Sequence, residues 1–217
     1  MTKVCAVHGT WAYASGNEQD SSWSRYGSPW WAFMRQQGVQ PVGQRPFSWT
    51  GNIGGLISFR RGGRFADWAA GGEALRNYFE SPVNIECPGD VPMADRRIVA
   101  HSHGGQVVLH ACAQGLRIHT LITIGLPVRD DMRYIVEQAR PRIGWWLSVS
   151  DASLWSNRMA WMGAIFDGHI GVRWHWPAGL VDVALTMRDI GHSRLLYDPR
   201  VFSRWIDDGL MDTLRQT

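Results

Sequence analysis

The stretch Arg97-Ile98-Val99-Ala100-His101-Ser102-His103-Gly104-Gly105-Gln106-Val107-Val108-Leu109 decides the fold of this chain. Its apolar first part predicts a buried strand over Arg97 to Ala100, and the residues from Gly105 to Gln114 predict an apolar helix. Ser102 lies between the two, with a small residue two positions away on either side. A turn this short requires small neighbours, because larger side chains would collide. We therefore expect a sharp turn that holds the hydroxyl of Ser102 at the helix N-terminus.

Outward from this turn, short β-rich runs alternate with amphipathic stretches, a pattern that indicates βα units on a parallel sheet. The predicted strands are Lys3 to Val7, Val39 to Phe47, Arg97 to Ala100, His119 to Ile124, Trp145 to Val149 and Val181 to Met187. The predicted helices are Ser24 to Gln37, Ala66 to Glu80, Gly105 to Gln114, Met132 to Ala139 and Pro199 to Leu214. Ligands bind such sheets outside the carboxyl ends of the strands, so the residues that follow each strand are the candidates for a site.

Length and composition indicate a single folded unit. The chain has 217 residues, of which 45% are hydrophobic and 12% aromatic, and its formal net charge is +3. These values predict one globular domain over residues 1–217 and exclude a mainly disordered chain. No apolar run is long enough to cross a bilayer and the first residues lack the apolar core of a signal peptide, so we expect a cytoplasmic protein. The basic residues are scattered, which argues against a nucleic-acid partner.

Metal and cofactor motifs are missing from the sequence. Cys5, Cys87 and Cys112 are an odd number without CxxC spacing, which predicts neither a disulfide framework nor a zinc site. His101 and His103 have the spacing of an HxH pair, but no further ligand is near them in sequence to complete a metal site. There is also no phosphate-binding glycine loop and no dinucleotide fingerprint. We therefore expect neither a metal nor a cofactor.

A serine at such a turn becomes a nucleophile when a general base takes its proton. His192 follows the last predicted strand and a glycine, a position from which an imidazole can reach the carboxyl edge of the sheet. An acid that orients the imidazole should lie between the two, and Asp151, directly after a predicted strand, is the first choice. The alternatives are Asp130 or Asp131 and, after them, Asp167, Asp182 and Asp189.

A second strand end lies beside the serine turn. The first predicted strand ends in His8-Gly9, where the glycine allows the chain to turn close to Ser102. We expect the backbone N–H of Thr10, with Trp11 in reserve, to join the N–H of His103 in an oxyanion hole. His8 itself is expected to be structural.

The residues from Ala152 to Gly179 are rich in tryptophan and other apolar side chains. They are expected either to form an apolar wall that receives an acyl chain or aromatic group, or to add to the core, and the two alternatives have equal weight. The residues assigned to the substrate pocket are Trp11, His101 and Trp155.

These motifs together resemble the α/β-hydrolase superfamily, in particular its small lipase- and esterase-like members. The matching segments follow the family's order: VHGT at 7–10, AHSHGG at 100–105, LITIGLPV at 121–128, WLSVSD at 146–151 and GHSRLL at 191–196. Ala100 replaces the first glycine of the G-x-S-x-G pattern, as it does in small lipases of bacilli. The resemblance implies a minimal α/β-hydrolase fold of about six mostly parallel strands, with helices on both faces and no large cap.

The same resemblance implies a function. The chain is expected to be a cofactor-independent serine hydrolase that cleaves carboxylic esters through an acyl-enzyme, with Ser102, His192 and Asp151 as its triad. A thioesterase or an amidase on the same scaffold remains an alternative, as does a ligand-binding relative without catalysis. The partner is expected to be a small-molecule ester, whose identity stays open together with the oligomeric state.

Overall fold

The computed structural model of the chain describes residues 1–9, 23–49, 63–81, 91–127, 130–151, 179–188 and 190–216. Its strands are β1 (Thr2–Val7), β2 (Val39–Pro41), β3 (Arg97–His101), β4 (Ile118–Ile124), β5 (Ile143–Asp151) and β6 (Val183–Met187). They form one sheet in the order β2-β1-β3-β4-β5-β6, and every neighbouring pair is parallel. The carboxyl ends of all six strands therefore lie at one edge.

The helices that follow the strands are α1 (Pro29–Gln36), α2 (Gly63–Glu80), α3 (Gly104–Ala113), α4 (Arg133–Ala139), α5 (Arg194–Tyr197), α6 (Arg204–Asp207) and α7 (Leu210–Arg215). Short 3-10 turns occupy Met93–Asp95, Asp130–Met132, Arg140–Arg142 and Pro199–Val201. No helix in the described ranges is both long enough and apolar enough to cross a membrane.

The core has two layers, one on each face of the sheet. Alternate residues of β1 divide between them: Cys5 and Val7 pack with α2, α3 and α4, whereas Val4 and Ala6 pack with α1 and the three C-terminal helices. Burial on both faces is what a parallel sheet requires, because its crossover helices cover both sides. The expected arrangement, a parallel six-stranded sheet with helices on both faces, is thus confirmed.

Three predicted elements were wrong in length. The strand predicted to reach Phe47 ends at Pro41: the N–H of Val42 still donates to the carbonyl of Val4 in β1, and residues 42–45 then form a bend. The single helix predicted from Pro199 to Leu214 is divided into a 3-10 turn, α6 and α7. Gly209 causes the last break, since its φ of +75° is left-handed and it caps α7.

The helix predicted from Ser24 begins later. Ser28 accepts a hydrogen bond from the N–H of Trp31 and caps α1, and Pro29 occupies the first helical position. Both residue types favour a helix start at these positions. The residues before Ser28 include Trp23, which packs edge-on against Trp30 in the layer formed with α1.

Candidate active site

Ser102 lies at the turn between β3 and α3 in a strained backbone conformation. Its φ of +52° is left-handed, and no other non-glycine residue in the described ranges has a positive φ. The backbone N–H of Ser102 donates to the carbonyl of Ile124 in β4, 2.9 Å away. A left-handed conformation costs a residue with a side chain about 1–2 kcal/mol. Strain of this kind concentrates at functional sites, where the surrounding structure holds it in place.

Glycines allow two strands and a helix to meet at this turn. A Cβ on Gly104 would lie 2.6 Å from the carbonyl oxygen of Val7, so the end of β1 contacts the start of α3 directly. A Cβ on Gly9 would lie 2.9 Å from the Cβ of Ser102. Real Cβ atoms do not approach so closely, and both positions therefore require glycine. The chain leaving β1 thus lies beside the serine, as the His-Gly pair predicted.

His8 holds the end of β1 through contacts with Trp49. The indole Nε1 of Trp49 donates to the carbonyl of His8 at 2.8 Å, and the two rings stack with centroids 5.8 Å apart. Nδ1 of His8 donates to the carbonyl of Gly9 at 2.7 Å, which leaves Nε2 to accept from the N–H of Trp49 at 3.4 Å. Burial lowers the pKa of His8, in agreement with a neutral ring. Thr10 and Trp11 lie outside the described residues.

Asp151 is the last residue of β5 and is only 4% exposed. One of its carboxylate oxygens, Oδ2, accepts a 2.6 Å hydrogen bond from the backbone N–H of Gly191, the residue before His192. Asp182 is bound elsewhere: it pairs with Arg140 and accepts from the N–H of Trp146, near the start of β5. Of these two carboxylates, only Asp151 is at the carboxyl edge.

Among the remaining acidic alternatives, Asp131 is the one whose side chain the structure describes. Asp131 lies in the 3-10 turn before α4, in the connection from β4 to β5. The side chain of Asp130, Asp167 and Asp189 lie outside the described residues, as does Trp155.

His192 lies over the end of β4, the strand between those of Ser102 and Asp151. Gly125, which follows β4 with φ +60°, faces the ring: a Cβ there would be 2.8 Å from Nδ1. Nδ1 is buried and has no hydrogen-bond partner among the described residues. Burial lowers the pKa of His192 well below its usual value, and electrostatic repulsion from His101 and His103 lowers it further. The imidazole is therefore neutral and can accept a proton.

His101 and His103, the neighbours of the serine, face different elements. His101 is 7% exposed, and its Nε2 is 2.9 Å from the carbonyl of His192 and 3.4 Å from Oγ of Ser193. His103 caps α3 and stacks on Trp68 of α2, with ring centroids 5.2 Å apart. No three metal-ligating side chains in the described part of the chain are grouped to hold an ion.

Sequence reasoning assigned no contact to three residues of this site. Gly125 makes room for His192, Gly191 binds the carboxylate of Asp151, and Trp49 binds His8. The two glycines lie within the matching segments at 121–128 and 191–196, and their small size next to a strand end or the histidine was the available signal. Trp49 carries no such signal, because its contact joins residues 41 positions apart.

Comparison with known proteins supports the fold. No family model matches the chain, and no curated protein is similar to it in sequence. A CIB-like hydrolase from Thermoplasma acidophilum has a similar structure, with a TM-score of 0.54 and 15% identity over 97% of this chain and 86% of that chain. The esterase PE8 aligns with a TM-score of 0.43 and 14% identity over 88% of this chain and 85% of that chain.

The fold can now be assigned. The six parallel strands in this order, with the serine turn after β3 and the acidic residue at the end of β5, form an α/β-hydrolase fold. The hydrolase from Thermoplasma acidophilum shares that fold over nearly the whole chain. The chain therefore has an α/β-hydrolase fold, as its motifs predicted.

Proposed function

We propose that this protein is a serine hydrolase that cleaves carboxylic esters with an apolar or aromatic portion. The observation that carries the proposal is the left-handed backbone of Ser102 at the turn from β3 into α3. Two further contacts support it: Asp151 binds the residue before His192, and His192 lies over the strand between them. The hydroxyl, the imidazole and the carboxylate all belong to the carboxyl edge of the sheet.

In the proposed reaction, Oγ of Ser102 attacks the ester carbonyl carbon while His192 takes the hydroxyl proton. The tetrahedral intermediate collapses, the C–O bond to the alcohol breaks, and His192 returns the proton to the leaving alkoxide. Water then attacks the acyl-enzyme with His192 again as base, which releases the acid and restores the hydroxyl. Asp151 orients the imidazole and stabilises its charged form.

The start of α3 supports the charge that develops during attack. The N–H of His103 follows the nucleophile directly, and the N-terminus of α3 carries the positive end of the helix dipole. We assign the N–H of His103, together with that of Thr10, to the oxyanion hole. Each donor of this kind typically contributes about 3–4 kcal/mol of transition-state stabilisation.

The lowered pKa of His192 leaves the ring neutral before the reaction, but it also makes the ring a weaker base. A neutral imidazole accepts a proton at neutral pH without first losing one, and burial keeps it in that form. Protonation in the transition state then requires a negative charge beside the imidazole, and we assign that role to Asp151, whose carboxylate binds the N–H of Gly191.

The test is covalent labelling with a fluorophosphonate, followed by mass spectrometry of the modified peptide. We expect the label on Ser102 in the wild-type chain, together with hydrolysis of p-nitrophenyl acyl esters. Ser102→Ala should fold and lose both. A folded wild-type protein that neither takes the label nor turns over any ester in a chain-length series would disprove the proposal and favour a ligand-binding role.

The leaving group is tested separately. Rates on a matched ester, thioester and anilide that share one acyl group report which bond the site prefers. We expect the ester to be the best substrate. A clear preference for the thioester or the anilide would leave the triad in place and correct the substrate class.

A further inference from the structure

We propose that His101 is a positioning residue that holds the loop of His192 against the catalytic edge. This inference rests on the proposed function, since it concerns how the general base of that reaction is held. It differs from the expectation that His101 lines the substrate pocket.

The hydrogen bond from His101 has only one direction. Nε2 of His101 is 2.9 Å from the carbonyl oxygen of His192, and a carbonyl only accepts, so Nε2 carries the hydrogen. The same nitrogen is 3.4 Å from Oγ of Ser193, which offers a second, longer contact. His101 is 91 residues away from His192 in sequence, so this bond joins the end of β3 to the loop that follows β6.

The two rings are also in contact. The imidazoles of His101 and His192 have centroids 4.6 Å apart at an angle of 51°. Gly125 lies against Nδ1 of His192, so the ring has His101 and a glycine backbone as neighbours. The side chain at position 101 therefore fixes the position of the His192 backbone relative to β3, and it also contacts the His192 imidazole.

The loop is anchored at two successive residues. Asp151 accepts from the N–H of Gly191, and His101 donates to the carbonyl of His192. One anchor comes from β5 and the other from β3, on opposite sides of β4. Removing either one should allow the imidazole to shift, and displacements of about 1 Å in a reacting group can cost on the order of 100-fold in rate.

The protonation state of His101 suits a residue that donates one permanent hydrogen bond. Burial lowers the pKa of His101 to about 4, so the ring stays neutral throughout the range in which the enzyme would work. A neutral ring has one N–H, and the carbonyl of His192 engages it. His101 therefore does not exchange protons with the substrate, and its influence passes through His192.

The test compares His101→Leu with His101→Gln. Leucine removes the donor at similar volume, whereas glutamine places an amide N–H near the position of Nε2. We expect kcat of His101→Leu to fall by about 10- to 100-fold with KM changed by less than about twofold. His101→Gln should recover most of the lost kcat. His119→Leu is the control, because His119 lies at the opposite end of the sheet, where it contacts Thr120.

A second measurement does not depend on activity. Long-range ¹H–¹⁵N spectra of the imidazoles report which nitrogen carries the hydrogen, and the His101→Gln spectrum identifies the His101 signals by their loss. We expect His101 to be the neutral Nε2–H tautomer at pH 7. The Nδ1–H tautomer, or a charged ring at that pH, would overturn the assignment.

The outcomes separate the two proposals. If Ser102→Ala is inactive but His101→Leu keeps the wild-type kcat, the positioning role is wrong and the hydrolase remains. A rise in KM with unchanged kcat would instead make His101 a substrate contact. If Ser102→Ala hydrolyses esters as fast as the wild-type chain, the proposed function fails, and the role of His101 falls with it.

Discussion

The carboxylate of Asp151 accepts a 2.6 Å hydrogen bond from the backbone N–H of Gly191. This bond places the carboxylate beside the loop of the proposed base. A substitution that removes the charge but keeps the hydrogen bond can therefore test the role of the charge alone. Asparagine retains a side-chain oxygen that can accept from Gly191 but carries no charge.

Asp151→Asn should therefore fold with little loss of stability and lose most of its activity. In a serine triad the loss of the carboxylate lowers kcat by about 10⁴-fold, because the imidazolium of the transition state is no longer stabilised. Steady-state kinetics with a p-nitrophenyl ester measure the effect. Asp182→Asn is the matched control, since that carboxylate binds Arg140 near the start of β5. Equal rates in Asp151→Asn and the wild type would assign the acid to another residue.

Gly125→Ala should displace His192. The new methyl group would lie 2.8 Å from Nδ1, too close for the ring to stay in place. We expect kcat to fall by at least about tenfold, since misplaced reacting groups lose rate steeply. Gly209→Ala controls for backbone strain: φ is +75° there, and a Cβ would have no neighbour within 4 Å. Both variants should lose stability by about 1–2 kcal/mol, but only Gly125→Ala should lose activity. Equal kcat in the two variants would show that His192 does not depend on this contact.

The pH profile of kcat/KM should extend to unusually acid values. The proposed base His192 would act in its neutral form, and its pKa is lowered by burial and by the neighbouring histidines. Activity is lost only as the pH falls through that lowered pKa, so the acid limb should lie below the ordinary histidine value of about 6.5. Tryptophan fluorescence at each pH distinguishes this limb from unfolding. An acid limb at 6.5 or above in a folded enzyme would contradict the assignment.

His110 should make the folded state sensitive to acid. It lies on α3 at the contact with Gly72 of α2, and burial lowers its pKa to about 4. Between pH 6.5 and 4 the unfolded chain binds a proton that the folded chain excludes, so stability falls as the pH falls. One such group contributes a slope of about 1.4 kcal/mol per pH unit.

His110→Leu should reduce that slope. Denaturant unfolding at several pH values between 4 and 7 measures the free energy of unfolding for both proteins. At pH 7 the two should differ by no more than about 1.5 kcal/mol, because leucine fills a similar volume. Parallel pH dependences in the two proteins would show that His110 is protonated in the folded state as readily as in the unfolded chain.

Much of this architecture was predictable because parallel α/β folds have strong local signals. The β3 strand, Ser102 and the glycines after it follow from side-chain size and apolar patterning within one short segment. The placement of Asp151 at the carboxyl end of a strand follows from the same reasoning. The errors arose where local signals are weak, at the edge strand β2 and in the C-terminal helices, which Gly209 and short turns interrupt.

The sequence by itself determined the class of fold, the turn at Ser102 and the chain order of the proposed nucleophile, acid and base. Only the tertiary structure decided which atoms meet: the Gly191 N–H with Asp151, the His101 Nε2 with the His192 carbonyl, and Gly125 with the imidazole. The physical reason is sequence separation. Size and periodicity act between neighbours along the chain, whereas these contacts join residues 40 to 91 positions apart and exist only after the sheet has assembled.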